Sequence, residues 1–191
     1  MKKLIAFLLA ALMCMSLVAC GGDSEETTLV TGDEAGVAPE AGSLAAAAAE
    51  IKALLAALKS GDKETIIALS GSDAAREDEL LFDMLVAMFS KLDYTVGEAK
   101  DNGDGTATLP VDISAVSVTS VFNEYMLEAA KHIEDENWDA DGAEFIKICS
   151  SDKVSKEDKS ISVNLENKDG AWTVAEENEE LVSALFGGLI G

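Results

Sequence analysis

The chain has 191 residues, with 36 Asp and Glu against 14 Lys and Arg, and a formal net charge of −22 at pH 7. So acidic a chain repels nucleic acid and anionic lipid, and neither is expected as a partner bound through a basic patch. One histidine and three cysteines also leave little material for Ser-His-Asp or Cys-His catalysis, or for zinc sites of the Cys/His type.

Residues 1–19 have the composition of an export signal. Two lysines precede an apolar run that is shorter than the roughly 20 apolar residues needed to span a bilayer. The tetrad that follows, Leu17-Val18-Ala19-Cys20, resembles the lipobox of bacterial lipoproteins. This resemblance implies that Cys20 becomes the mature N-terminus and carries a diacylglyceryl thioether, whose acyl chains (palmitate, for example) anchor it to the extracytoplasmic face of the cell membrane. The alternative is an ordinary signal cut near Ala19 with an incidental cysteine.

Residues 20–43 are predicted to be the lipidated cysteine and an acidic flexible linker. Residues 21–43 hold six acids, no base and five glycines, and a coil of this length has an r.m.s. reach of roughly 25 Å. Residues 44–191 are predicted to form one domain with its own core. Cys149 is the only cysteine of that segment, so we expect a buried small hydrophobe there, the alternative being a disulfide to another chain.

Three helices are predicted at the start of this domain. Ser43 caps the first, over residues 44–59, and Gly61 ends it. Asp62 caps a short second helix, and a third lies near 75–91. Apolar residues recur at helical spacing in all three: Ile51, Leu54, Leu55 and Leu58; Ile66, Ile67 and Leu69; Leu81, Met84, Leu85 and Met88.

The apolar period then changes to two, which predicts strands. A first hairpin turns at "DNGDG", residues 101–105, and a second at residues 168–170. Pro110 falls on the parity opposite to the apolar residues, which suits an edge strand or a bulge. The residues predicted to face inward are Tyr94, Val96, Ala107, Leu109, Val111, Ile113, Ile161, Val163, Leu165, Trp172 and Val174.

A helical insert, residues 115–149, separates the two hairpins, and a last helix capped by Asn178 follows them. The insert is predicted to turn one apolar face to the core, and the last helix carries three leucines on one side. Helices combined with an antiparallel sheet in this order predict an α+β domain. The apolar face of the insert is expected to run through Phe122, Tyr125, Met126, Ala129 and Ile133.

Two stretches carry a likeness to a known family. "AALKSGDKETIIALS" (56–70) and "SISVNLENKDGAWTV" (160–174), together with the ending "ELVSALFGGL", resemble the nuclear transport factor 2-like (cystatin-like) lipoproteins of Gram-positive bacteria, many from gut anaerobes. The resemblance covers most of residues 44–191. It implies a curved sheet wrapped with helices into a cone, and it implies no activity. The helical insert and the closing helix depart from the plainest form of that fold, which leaves strand order open.

A catalytic group inside the cone would be the sign of an enzyme. Enzymes that resemble this fold often use His or Asp there, but His132 lies off the apolar stripe of its helix and is predicted to face solvent. Tyr94 points inward and is expected to be a core aromatic, whereas Asp112 points outward. No catalytic residue is therefore assigned.

One loop resembles a calcium-binding template. Asn137, Asp139 and Asp141 stand at the spacing of oxygen ligands, and Gly142 takes the turn position. Ile148 occupies the place of the bidentate Glu that closes the shell. We therefore expect no cofactor, with Ca²⁺ as the weak alternative and a solvated acidic loop as the main interpretation.

Three functions are open to an anchored domain of this kind. The favoured one is a non-enzymatic module that binds a small apolar or peptidic ligand or a surface protein. The others are a cone-pocket enzyme or accessory hydrolase using a carboxylate or His132, and a structural spacer subunit of a surface complex. If the cone is open, its expected lining is Tyr94, Leu109, Val111, Val163 and Trp172.

Overall fold

The structure is a computed structural model that describes residues 39–70, 74–139 and 142–187. Its helices are α1 (Leu44–Ser60), α2 (Lys63–Ser70), α3 (Ala74–Glu77), α4 (Glu79–Phe89), α5 (Val118–Ala129), α6 (Ala143–Ser150) and α7 (Glu179–Leu185). A 3₁₀ turn, Ala130–His132, follows α5. Its strands are β1 (Asp93–Val96), β2 (Lys100–Asp101), β3 (Thr106–Val116), β4 (Lys156–Lys168) and β5 (Ala171–Val174).

The five strands form one curled antiparallel sheet with β3 and β4 at its centre. Strand β3 pairs with β4 along its whole length, from Thr106 opposite Glu166 to Val116 opposite Lys156. On its other side β3 pairs with β1 and β2, and β5 pairs with the outer edge of β4. The predicted α+β class, with two hairpins, a helical insert between them and a closing helix, is confirmed. The strand order, left open by the sequence, is an antiparallel meander interrupted by the insert.

Pro110 lies on an internal strand, so the edge-strand interpretation is wrong. Its carbonyl oxygen accepts a hydrogen bond from the Gly97 backbone N–H at 2.9 Å. In an antiparallel pair the N and the C=O of one residue point to the same side, so the proline nitrogen faces the interruption between β1 and β2. The missing N–H therefore costs the sheet no ladder hydrogen bond.

The predicted limits of α1 and the start of α2 are confirmed by their hydrogen bonds. The Ser43 hydroxyl oxygen accepts from the Ala46 N–H, and the Asp62 carboxylate accepts from the Thr65 N–H. Gly61 adopts φ 77° and donates back into the last turn of α1. A residue with a side chain would be strained at this φ, which is why glycine ends the helix.

The third helical segment is divided, whereas one helix near 75–91 was predicted. Asp78 takes an extended conformation between α3 and α4, and its carboxylate accepts from the Leu81 N–H. An aspartate side chain competes well for free N–H groups at a helix start, so it begins a new helix rather than continuing the old one.

The main hydrophobic core lies between the sheet and helices α1, α4 and α7. The alternation predicted for β3 is confirmed, because its inward residues are all buried. Fully burying one such aliphatic side chain stabilises the fold by about 1.5–3 kcal/mol. The largest fully buried side chains include Ile51, Leu55, Leu58, Ile66, Phe89, Leu92, Leu109, Ile113, Leu165 and Leu185.

Two junctions differ from the expectation in detail. Asn178 precedes α7, but its side chain makes no capping hydrogen bond to that helix. It bonds instead to the backbone of Asn164 and Ala175. At the other end of the domain, the Gly42 carbonyl accepts from the Trp172 N–H at 2.8 Å. The chain thus already contacts the sheet at Gly42, two residues before α1 begins. The division at residues 19, 43 and 44 otherwise stays a prediction.

Candidate functional site

The helical insert packs through a second, smaller hydrophobic cluster. Val121 of α5 and Ile148 and Cys149 of α6 are buried in it with Ala87 of α4 and Val116 of β3. The expected burial of Cys149 is confirmed. Helix α4 contributes to both clusters, so the insert packs on the domain through the buried sides of α5 and α6.

The opposite side of α5 exposes large apolar side chains to solvent. The expected inward stripe is therefore wrong in part: Tyr125 and Ala129 are partly buried, but the other three members point outward. Val121, one position away, takes the buried place. The exposed fractions are 58% for Phe122, 52% for Met126, 61% for Leu127 and 83% for Ile133. We call these four residues, three on α5 and Ile133 directly after the 3₁₀ turn, the outer apolar face of α5.

The sequence held a signal for this face that helical spacing alone does not reveal. Apolar residues cover so much of the circumference of α5 that one packing partner cannot bury them all. Which side is covered depends on α4, α6 and β3, which are distant in the sequence. An apolar face that is wider than one neighbouring element can cover is the sequence feature that would have predicted an exposed apolar surface.

An aromatic cluster links α5, the residues that follow it and α6. Tyr125 lies 5.4 Å from Trp138 and 6.1 Å from Phe145, measured between ring centroids. His132 stacks on Trp138 at 5.2 Å with 7° between the ring planes. A hydrogen bond between the Tyr125 hydroxyl and the Asp139 carboxylate raises the pKa of that phenol. The phenol therefore stays protonated as a donor at neutral pH.

His132 is exposed, as predicted, and lies in the insert. Its Nε2 is 3.8 Å from Glu128 Oε1, and Glu128 also pairs with Lys131 at 2.6 Å. The hydrogen bond from Lys131 lowers the pKa of the Glu128 carboxyl, with Lys153 and His132 adding to the effect. Neither Tyr94 nor Asp112 shares this cluster. Tyr94 packs against the main core, and Asp112 is exposed and accepts from the Ser160 hydroxyl at 2.6 Å.

The five residues expected to line a cone belong to the packed interior. Leu109, Val111 and Val163 are fully buried between the sheet and the helices. Tyr94 and Trp172 are partly buried and pack against the same cluster. These five residues contribute to core packing, and we place the candidate docking surface on α5 instead.

In the loop compared with a calcium site, the Asp139 carboxylate serves the local structure. Asp139 adopts φ 52°, and its Oδ1 accepts from the Glu144 N–H at 2.6 Å, at the start of α6. The backbone N–H of Asn137 donates to Asp135 Oδ1. Asp141 lies outside the described residues. Within the described ranges, no group of three or more His, Cys, Asp or Glu is arranged to hold a metal ion. The expectation about Ca²⁺ stays a prediction.

The lipobox residues Leu17, Val18, Ala19 and Cys20 lie outside the described part of the chain. In that described part, no helix is both long enough and apolar enough to cross a membrane.

Comparison with known proteins gives little beyond this geometry. No protein-family model matches the chain, and no curated protein matches its sequence. Among solved structures, the chain is similar to one from Bacillus subtilis that is named as a lipoprotein (ycdA), at 12% identity and a TM-score of 0.43. The match covers 71% of this chain and 47% of that one. The chain thus spans about half the length of that protein, and the likeness carries no conclusion about function.

Proposed function

We propose that this protein is a lipid-anchored extracytoplasmic lipoprotein whose domain is a non-enzymatic binding module for a protein partner. The lipobox-like Leu17–Cys20 supports the anchor. The acidic residues 21–43 support a tether that holds the domain away from the membrane surface. We also propose that the domain is of the nuclear transport factor 2-like type found in lipoproteins of Gram-positive gut bacteria, on the motifs quoted above.

The outer apolar face of α5 is the observation that carries the binding role. Isolated exposed apolar residues are ordinary on protein surfaces, but three on one helix with a fourth just after it are of the kind that marks an interaction site. The packing of α5 does not require them, because Val121 and Tyr125 make its contacts with the rest of the domain. A partner that covers the face would remove four large apolar side chains from water.

The anchor is tested by Cys20→Ser in the native host. The mass of the membrane-extracted protein should exceed that of the bare mature chain by a diacylglyceryl group, and the serine variant should be shed or remain uncleaved. A serine variant that is processed and membrane-bound as before would show that the anchor lies elsewhere.

The binding role is tested by photo-crosslinking in native membranes. A photoreactive amino acid replaces Leu127 on the outer apolar face, and the matched control replaces Ser162, an exposed residue of β4. A discrete crosslinked protein at position 127 and not at 162 is expected. Equal crosslinking at both positions, or none at 127, would favour the spacer alternative.

A further inference from the structure

We infer that the outer apolar face of α5 binds an amphipathic protein segment whose apolar side is flanked by lysine or arginine. This inference rests on the proposed function and names the chemistry of the partner. It follows from the spacing of the apolar side chains, from the charges around them and from the exclusion of like-charged occupants.

The spacing of the face suits a helix or a short extended segment. Phe122, Met126 and Ile133 follow one another at intervals of four and seven, and Leu127 widens the stripe beside Met126. On α5 itself, at 1.5 Å per residue, the anchors from 122 to 127 span roughly 8 Å, and Ile133 lies beyond the 3₁₀ turn. Recognition of an amphipathic segment uses anchors at this kind of interval.

The surroundings of the face are strongly acidic. Residues 118–139 contain six acids and one lysine, and Glu134, Asp135 and Glu136 directly follow the last apolar anchor. The single lysine, Lys131, is paired with Glu128 at 2.6 Å, so its charge is already engaged. Basic groups at the margin of a partner would therefore meet the exposed carboxylates of residues 134–136 at the end of the apolar contact.

The same charges disfavour two other occupants. A second copy of the chain would bring its own acidic margin against this one, and like charges across an interface oppose association. An anionic lipid surface would be repelled by a protein of net charge −22. Basic residues beside its apolar side thus distinguish the expected partner from a second copy of the chain and from an anionic lipid surface.

The test uses the mature chain, residues 20–191 with Cys20→Ser, so that no acyl chain competes for the apolar face. The probes are two fluorescent helical peptides with the same leucine pattern, one flanked by lysine and one by glutamate. At 0.15 M salt, fluorescence anisotropy should show the lysine peptide binding at least tenfold more tightly. Equal affinity of the two peptides would overturn the inference.

Matched variants separate the apolar face from general attraction to an acidic protein. Phe122→Ser with Met126→Ser should weaken binding of the lysine peptide at least tenfold, with thermal unfolding unchanged. Glu124→Gln with Glu134→Gln should weaken it severalfold, whereas Glu98→Gln with Glu176→Gln, on other exposed segments, should change it less than twofold. Unchanged binding by the Phe122/Met126 variant would mean attraction by charge alone and would overturn the inference.

Two further measurements address the other occupants. Co-sedimentation with phosphatidylglycerol or phosphatidylcholine vesicles that depends on Phe122 and Met126 would overturn the inference and show that the face binds a membrane. Dimerisation that the Phe122/Met126 variant abolishes would likewise overturn the inference and show that the face binds a second copy of the chain. If crosslinking at position 127 captures a protein but the peptides do not discriminate, the proposed function stands and this inference fails. If position 127 captures nothing, the proposed function itself fails.

Discussion

The side-chain amide of Asn178 pairs with both backbone groups of Asn164, as the backbone of a neighbouring strand would. Its Oδ1 accepts from the Asn164 N–H at 2.7 Å, and its Nδ2 donates to the Asn164 carbonyl at 3.1 Å. The same Nδ2 also donates to the Ala175 carbonyl at 2.7 Å. Strand β5 ends at Val174, so this buried amide continues the pairing of β4 where the chain turns away towards α7.

Replacing Asn178 by alanine should therefore destabilise the domain well beyond the loss of a surface hydrogen bond. The variant removes all three hydrogen bonds of a side chain that is only 3% exposed and leaves the part-buried Asn164 N–H without this partner, at a cost of about 1–3 kcal/mol. Chemical denaturation should show this loss. Asn167→Ala is the control, since Asn167 is exposed and its side chain accepts one hydrogen bond, from the Gly170 N–H. Equal losses in the two variants would contradict the role assigned to Asn178.

A pair of leucines distinguishes packed interior from binding surface. Leu109→Ala should lower the free energy of unfolding by about 2–5 kcal/mol, because the side chain is fully buried and its removal leaves a cavity. Leu127→Ala, on the outer apolar face, should change it by no more than about 0.5 kcal/mol. Denaturant titration of both variants decides the matter. A small loss of unfolding free energy in Leu109→Ala would indicate open space beside the sheet, as expected for an open cone.

Asp93 joins two elements through a pair of lysines. Its carboxylate oxygens lie 2.7 Å from Lys156 Nζ of β4 and 2.8 Å from Lys59 Nζ at the end of α1. The hydrogen bonds from Lys156 and then Lys59 lower the pKa of this carboxyl to about 2, from its ordinary 3.8.

The lowered pKa sets the pH range in which Asp93 contributes to stability. Its contribution is complete above pH 3.8 and is lost as the pH falls towards 2, because protonation removes the attraction to both lysines. The pair is exposed, so Asp93→Asn should cost no more than about 1 kcal/mol at pH 7, and less in high salt. The difference from the parent chain should shrink as the pH falls through that range. Asp158→Asn, an exposed change on β4, serves as the control, and a difference that persists at pH 2 would contradict this account.

Cys149 should resist thiol reagents in the folded protein. Burial raises the pKa of its thiol to about 11, so the reactive thiolate is scarce at neutral pH, and the side chain is fully covered. In the mature chain with Cys20→Ser, labelling by a disulfide reagent should be slow without denaturant and complete once the domain unfolds. Cys149→Ser with Ser150→Cys moves the thiol to an exposed neighbour on α6 and should react at once. Fast labelling of native Cys149 would show that the insert opens readily.

Local patterns in the sequence determined the helix starts and the faces of the central strands. The side chains of Ser43 and Asp62 accept hydrogen bonds from N–H groups three residues later in the chain. These groups come within hydrogen-bond distance whenever a helix begins at such a residue. The alternation in β3 likewise needs only a sheet that is covered on one side. Such signals depend on a few neighbouring residues, so they can be read without knowledge of the fold.

Tertiary structure alone decided which surfaces those elements cover. Pro110 is tolerated on an internal strand because β1 and β2 leave a gap opposite it, and Asn178 pairs with a strand rather than capping its own helix. On α5, the contacts of β3, α4 and α6 bury Val121 and leave Phe122 and Met126 in solvent. Each outcome depends on groups brought together from distant parts of the chain. The apolar pattern of a helix indicates how much of its surface can be buried. The elements that pack against the helix decide which side is buried.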